Sequence, residues 1–258
     1  MDQALLVGIN NYPYPNALNG CIDDINDIEA ELVNALGFTS PNIVKLLDAT
    51  ATADNIRSEL KNSVSKLHDG GRFLFWYSGH GAQLVDGDPS TDVICPVDFN
   101  FTSETSVTVD DFHNAFSQIP VVVEALWGSD SCHSGDLERD FYRKGVPKRF
   151  RRDPGIPHVA VKSMKFRGFR AISAALPNIA LISGCRSDQT SADANIDGRY
   201  NGAFTYYFVQ ALRSPGGLTT TLSDLVPQVQ AALKTNGYEQ IPQLSGPPAI
   251  VSRPFLHV

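Results

Sequence analysis

The chain has 258 residues, 42% of them hydrophobic and 19% charged, with a formal net charge of −7. This composition excludes a wholly disordered chain, and no apolar run reaches the roughly 18 residues that would span a bilayer. The N-terminal residues MDQALLVG lack the basic segment of a signal peptide, and the four cysteines form no CxxC pair. We therefore expect a cytoplasmic protein with reduced thiols and no membrane partner.

Strands and helices alternate along the first part of the chain. Continuous apolar runs predict strands at Ala4–Ile9, Asn42–Leu47 and Phe73–Tyr77. Apolar residues at helical spacing predict a helix over Cys21–Leu36, and a second helix runs from Thr52, its N-cap, to about Leu67. The chain therefore begins like an α/β protein.

The same alternation continues to the C-terminus. The predicted elements are extended segments at Val93–Val97 and Thr105–Val109, a helix over Asp110–Gln118, strands at Val121–Trp127 and Ile179–Ser183, helices over Ala203–Arg213 and Leu222–Lys234, and an edge formed by Gln243–Leu244 with Ala249–Ile250. Alternating strands and helices predict a mostly parallel sheet covered by helices on both faces.

Two apolar runs end abruptly in small and polar residues, which is typical of strands that carry a site at their C-terminal ends. The run FLFWYSGHG delivers His80, and the run VVVEALWGSDSCHSG delivers Cys132. A thiol needs a base to become a thiolate at neutral pH, and we assign that role to His80. His133 is a poor base, since adjacent residues leaving a strand point to opposite faces. The backbone N–H groups of Gly81 and Cys132 are candidates for an oxyanion hole.

A strongly basic segment follows the predicted nucleophile. From Arg143 to Arg170 the chain has ten Lys or Arg residues and a single acid, Asp153. The segment is interleaved with Pro and Gly and contains no recognition helix, so we favour a solvated linker over a nucleic-acid-binding element. A protease-sensitive linker that docks on the acidic body of the protein is the second interpretation.

Four separated motifs give the chain a family resemblance. They are NGCIDD at 19–24, SGHG at 78–81, DSCHSG at 130–135 and ISGCRSDQTSA at 182–192, and in this order they resemble a metacaspase of the caspase-like cysteine peptidases. The resemblance implies a caspase-like α/β/α sandwich forming one domain over 1–258. It divides the domain into a large-subunit-like part (1–142) with the His/Cys dyad, the linker (143–170) and a small-subunit-like part (171–258).

The resemblance also implies a substrate class. Metacaspases cleave polypeptides after Arg or Lys, and the positions matching their primary pocket are Asp24 and Asp130, with Cys21 and Ser78 on its walls. Carboxylates in a partly desolvated pocket pair well with guanidinium or ammonium groups. Asp130 lies two residues before Cys132, so its side chain should point the same way.

Calcium is the one cofactor that the resemblance implies, and no organic cofactor is expected. The matching acids are Asp92, Asp110 and Asp111, and carboxylates suit a hard cation. A fourth acid of the family pattern falls on Arg139 here, with Glu138 and Asp140 beside it.

Two further expectations follow from the resemblance. An enzyme that cuts after basic residues should process itself in the basic linker, and the chain should be a monomer. A calcium-independent peptidase like the prokaryotic orthocaspases, and a catalytically silent caspase-like interaction module, remain as alternatives.

Overall fold

A computed structural model describes residues 1–13, 16–84, 91–131, 167–186 and 189–256. Within them the strands are β1 (Gln3–Gly8), β2 (Ile43–Leu47), β3 (Arg72–Ser78), β4 (Gly81–Leu84), β5 (Thr91–Ile94), β6 (Val107–Thr108), β7 (Glu124–Asp130), β8 (Ile179–Ser183), β9 (Asp193–Ile196), β10 (Arg199–Gly202) and β11 (Gln243–Ser245). The helices are α1 (Cys21–Asn34), α2 (Ala53–Ser65), α3 (Val109–Phe116), α4 (Arg167–Ala175), α5 (Ala203–Arg213), α6 (Leu222–Thr235) and α7 (Pro248–Val251).

Six strands form the central sheet in the order β11-β8-β7-β3-β1-β2. All neighbours are parallel except β11, which runs antiparallel to β8 at the edge. A small antiparallel sheet, β4-β5-β6, and the hairpin β9-β10 are separate from it. The predicted mostly parallel sheet is confirmed.

The sheet separates two hydrophobic cores, which explains why its strands are continuously apolar. Leu5 and Val7 of β1 face one core with helices α2, α3 and α4, whereas Ala4 and Leu6 face the other with α1, α5 and α6. Successive residues of a strand point to opposite faces, so a strand buried on both sides has no polar alternation. The architecture is the expected three-layer α/β/α sandwich.

Tight packing holds β3 and β7 together beneath the ends that the site uses. Trp76 of β3 is fully buried and stacks on Phe204, with ring centroids 5.8 Å apart. Gly128 of β7 lies beside the same indole, and a Cβ atom there would come within 2.0 Å of the Trp76 ring. The glycine in the middle of this strand is therefore required by the close approach of Trp76.

The predicted start of the strand at Val121 is wrong. Val121 and Val122 lie in an exposed turn, and β7 begins only at Glu124. The Asn178 side chain bonds the carbonyls on both sides of this turn, at Pro120 and Val123, and so closes it before the strand starts.

The predicted edge strand at Ala249–Ile250 is also wrong. These residues belong to the short helix α7, whose first residue is Pro248. Proline is preorganised for the first helical position, and the turn buries Ile250 in the core on the α1 side.

Thr52 caps α2 as predicted, since its hydroxyl accepts a hydrogen bond from the Asn55 N–H. Cys132 and residues 143–166 of the predicted linker lie outside the described residues, and 167–170 begin α4. In the part of the chain that the structure covers, no helix has the length and apolar character needed to cross a bilayer.

Candidate active site

The predicted catalytic strands are neighbours in the sheet. β3 and β7 pair in register from Arg72–Glu124 to Ser78–Asp130. The Gly79 N–H then donates to the Asp130 carbonyl at 3.4 Å, so the two segments remain paired just past the end of β3. His80 follows the first of these ends, and Cys132, outside the described residues, follows the second in sequence.

His80 is held in a defined orientation. Its side chain is buried, and Nε2 lies 2.6 Å from the carbonyl oxygen of Asn16. A carbonyl only accepts hydrogen bonds, so this contact requires the proton on Nε2. The basic nitrogen of the neutral imidazole is therefore Nδ1, and Asn16 takes the part of the third group that orients a catalytic base.

Asp24 joins the start of α1 to the end of β3. The carboxylate is fully buried and accepts hydrogen bonds from the Ser78 hydroxyl at 2.6 Å and from the Gly202 N–H at 2.8 Å. Gly202 is the N-cap of α5. Two of the four predicted pocket residues are therefore in direct contact, and Cys21 lies one turn before Asp24 on α1.

Asp130 is held by the same helix. Its buried carboxylate accepts hydrogen bonds from the backbone N–H and the hydroxyl of Thr205, at 2.9 and 2.8 Å, and from the Ser191 hydroxyl. Thr205 lies in the first turn of α5. The positive end of the helix dipole therefore favours negative charge on both Asp24 and Asp130.

Several of these partners have no signal in the sequence. Asn16 acts through its carbonyl and Gly202 through its N–H, and almost any residue could supply either group.

Asp193 of β9 is a further buried carboxylate, and it accepts hydrogen bonds from the backbone N–H groups of Asn19 and Gly20, at 2.8 and 2.9 Å. These contacts hold the loop before α1 in place.

The hairpin that carries Asp193 has a recognisable sequence signal. Asp197-Gly198, which joins β9 to β10, has positive φ at both residues, and an Asp-Gly pair is typical of a tight hairpin turn.

The acids predicted to bind calcium lie around β5 and α3. Asp92 is buried in β5, and Asp110 and Asp111 begin α3. The Asp111 carboxylate already accepts hydrogen bonds from the N–H and hydroxyl of Thr108 and an ion pair from Arg57 at 3.3 Å. Among the residues described, no group of three His, Cys, Asp or Glu residues could hold a metal ion. As placed, these acids do not fit a calcium ion by themselves.

Comparisons with known proteins agree with this architecture. The caspase domain family matches residues 1–249. The chain is 32% identical to "Metacaspase-1" of Scheffersomyces stipitis, covering 94% of the chain and 70% of the relative, and 31% identical to "Metacaspase-2" of Trypanosoma brucei brucei, covering 96% and 74%. A crystal structure of a Geobacter sulfurreducens protein has the same fold, with a TM-score of 0.72 at 23% identity over 100% of this chain and 98% of that one.

The fold and the family match define a caspase domain. The chain belongs to the metacaspases within that family. The relatives support a caspase-like cysteine peptidase, and a peptidase implies polypeptide substrates. The resemblance inferred from the four sequence motifs is confirmed.

Proposed function

We propose that this protein is an endopeptidase that cleaves after Arg or Lys, with Cys132 as nucleophile and His80 as general base. The observation that carries the proposal is the orientation of His80 beyond the end of β3, next to the strand that leads to Cys132. Because Nε2 is committed to the Asn16 carbonyl, Nδ1 is the nitrogen that takes up the thiol proton.

In the first half of the reaction, the Cys132 proton passes to Nδ1 of His80 and the thiolate attacks the scissile carbonyl carbon. The N–H groups of Gly81 and Cys132 stabilise the negative charge on the carbonyl oxygen. The C–N bond then breaks as His80 returns its proton to the leaving amine. The product is an acyl-enzyme and a free new N-terminus.

In the second half, His80 Nδ1 removes a proton from a water molecule that attacks the thioester. The C–S bond breaks, the leaving thiolate takes the proton back from Nδ1 of His80, and the new carboxylic acid is released. Cys132 and His80 return to their starting states, so each cycle consumes one water molecule.

The proposed preference for a basic substrate residue rests on two buried carboxylates close to the ends of β3 and β7. Asp24 and Asp130 bring two carboxylates to the N-terminus of α5, and both are anchored by hydrogen bonds that leave their negative charge intact. A desolvated carboxylate pairs strongly with a guanidinium group and repels a substrate Asp. Cleavage after Arg or Lys follows, while Asp is rejected.

Calcium stimulation and cutting in the linker 143–170 are the regulatory part of this proposal. Calcium binding at Asp92, Asp110 and Asp111 would require Asp111 to give up its ion pair with Arg57. That ion pair favours the alternative, a calcium-independent peptidase of the same specificity. Activity in calcium and in chelator separates the two.

The test is covalent labelling with a peptidyl electrophile that ends in Arg. We expect one adduct on Cys132, located by mass spectrometry, and its loss in Cys132→Ala. His80→Ala should slow labelling strongly, whereas the matched variant His113→Ala, on the exposed side of α3, should not. Equal labelling of the His80→Ala and wild-type proteins would contradict the proposed base.

A further inference from the structure

Two buried tyrosines bracket the backbone of His80. The Tyr12 hydroxyl accepts a hydrogen bond from the His80 N–H at 3.1 Å, and the Tyr77 hydroxyl donates to the His80 carbonyl at 2.5 Å. Tyr12 comes from the loop after β1, and Tyr77 is on β3. Both polar groups of the His80 main chain are therefore held by side chains from two different elements.

The hydrogen bonds close into a network in which each phenol proton is used once. With Tyr77 donating to His80, Tyr12 donates to the Cys95 carbonyl at 2.8 Å. The Cys95 N–H donates in turn to the His80 carbonyl at 2.9 Å, and the two hydroxyl oxygens are 3.1 Å apart. The turn that carries His80 is thus tied to the residue that follows β5.

Gly79 shows how closely the two hydroxyls approach this turn. A Cβ atom at Gly79 would lie 2.5 Å from the Tyr77 hydroxyl and 2.6 Å from the Tyr12 hydroxyl. These distances are too short for any real Cβ, so the glycine before His80 leaves the space that the hydroxyls occupy. The glycine of the SGHG motif therefore has a packing reason that is connected to the catalytic histidine.

Tyr12 also contacts the imidazole itself. The two ring centroids are 4.4 Å apart at an interplanar angle of 56°. The loop of Tyr12 is fixed in turn, because the Asp48 carboxylate accepts hydrogen bonds from the N–H groups of Asn10 and Asn11. A fixed aromatic face limits the rotation of the imidazole and stabilises its cationic form.

We propose that Tyr12 and Tyr77 are positioning residues that hold His80 in the orientation required for proton transfer. The proposal rests on the proposed function, which makes His80 the base. It adds that the base is oriented from three sides: by Asn16 at the ring nitrogen, by Tyr12 at the ring face and backbone N–H, and by Tyr77 at the backbone carbonyl. Both tyrosines act through His80, Tyr12 through its ring face and backbone N–H and Tyr77 through its backbone carbonyl.

Burial keeps the hydroxyls of Tyr12 and Tyr77 protonated. It raises the pKa of both Tyr12 and Tyr77 well above the ordinary value, and the nearby Cys95 and Cys21 raise the pKa of each further. Both hydroxyls therefore remain neutral hydrogen-bonding groups over the pH range in which a histidine titrates.

The test uses Tyr12→Phe and Tyr77→Phe, which keep the rings and remove one hydroxyl each. Tyr200→Phe is the matched control, since Tyr200 lies on β10 with 42% of its surface exposed. Two readouts are measured for the folded proteins: kcat and KM on a peptide ending in Arg, and the pH dependence of iodoacetamide alkylation at Cys132, located by mass spectrometry. Thermal unfolding verifies that each variant is folded.

We expect kcat to fall about 10- to 100-fold in each variant while KM stays within about twofold, because a small misplacement of a catalytic group slows the chemical step. The alkylation profile should move toward that of an ordinary thiol, and Tyr200→Phe should match the wild type. If Tyr12→Phe does not fold, Tyr77→Phe tests the positioning role by the same criteria. That variant keeps the Tyr12 hydroxyl, which accepts the hydrogen bond from the His80 N–H.

A folded Tyr12→Phe or Tyr77→Phe with wild-type kcat and an unchanged alkylation profile would overturn the positioning role and leave the peptidase proposal intact. If the wild type itself cleaves no Arg peptide, the proposed function fails instead. The alkylation profile still decides the positioning role in that case, because it needs no substrate.

Discussion

Replacing Asp130 with Asn removes a negative charge from the proposed pocket while keeping its shape. The Thr205 N–H and hydroxyl both donate to one carboxylate oxygen, which the amide oxygen of Asn can replace. The other oxygen accepts from Ser191, and the amide NH₂ can donate to that hydroxyl in the reverse direction. We expect this exchange to cost about 1 kcal/mol of stability, the scale of one perturbed hydrogen bond.

The effect on catalysis should be larger. Removing one partner of a buried charge pair costs about 2–5 kcal/mol, and Asp24 remains to neutralise the substrate, so we take about 2–3 kcal/mol. This corresponds to a fall in kcat/KM of about 30- to 150-fold for a peptide ending in Arg. The same peptide ending in citrulline, a neutral isostere of Arg, should lose much less.

The assay is therefore the ratio of kcat/KM for the Arg and citrulline peptides, measured in the wild type and in Asp130→Asn. Glu124→Gln is the matched control, because Glu124 is a mostly buried carboxylate at the opposite end of the same strand, about 20 Å away. A ratio unchanged in Asp130→Asn would refute the idea that this carboxylate recognises the basic residue. An equal loss in Glu124→Gln would show that strand damage alone explains the result.

Three other predictions concern the scaffold. Gly128→Ala should lower the free energy of unfolding by at least about 1–3 kcal/mol, since its Cβ would overlap the Trp76 ring, and an unchanged denaturation midpoint would contradict this packing. Burial opposes ionisation of Asp2, but hydrogen bonds and the charge of Arg72 outweigh it and lower the pKa of Asp2 below 3.8. The stabilisation is therefore present at neutral pH and is lost as the pH falls from about 3.8 through the lowered pKa. In urea unfolding, the free energy of Asp2→Asn should differ from that of the wild type at pH 7, and the two should converge in acid. A difference that stays constant with pH would argue against the ion pair. Protein cut within 143–166 should remain one particle in gel filtration, because β7 pairs with β8 across the cut and α5 binds both pocket aspartates, and separated fragments would disprove that argument.

The sequence predicted the strands of the sheet's centre well because they are buried on both faces. Phe73–Tyr77 and Ile179–Ser183 have continuous apolar runs that little else produces, and the structure has strands over both. The apolar run at Val121 gave a wrong prediction because it has the same pattern. Its three valines predict the start of a strand, whereas the Asn178 side chain bonds the carbonyls of Pro120 and Val123 and closes a turn there.

The site was predictable only where a side chain performs the chemistry. His80, Asp24 and Asp130 could be named from their motifs, and the structure places all three where buried strand or helix ends meet. The partners that orient them come from far along the chain: the Asn16 carbonyl on His80, and the start of α5 on the two aspartates. Backbone groups have no sequence signature, and contacts between residues more than 60 positions apart depend on the fold.

The roles of Cys132, Gly81 and the calcium acids stay predictions, as do the monomeric state and the cytoplasmic location. The acids are the part of the site where family resemblance and geometry differ most, because Asp111 is already paired with Arg57.

The most direct test of the account is the release of a fluorophore from paired peptides ending in Arg or Asp, by the wild type and by Cys132→Ala, with calcium and with chelator. The account predicts cleavage after Arg, none after Asp, and none by the Cys132→Ala variant. Calcium and chelator then decide whether the metal is required. Cleavage after Asp would contradict the acidic pocket of Asp24 and Asp130, and Arg cleavage that survives Cys132→Ala would contradict the cysteine mechanism itself.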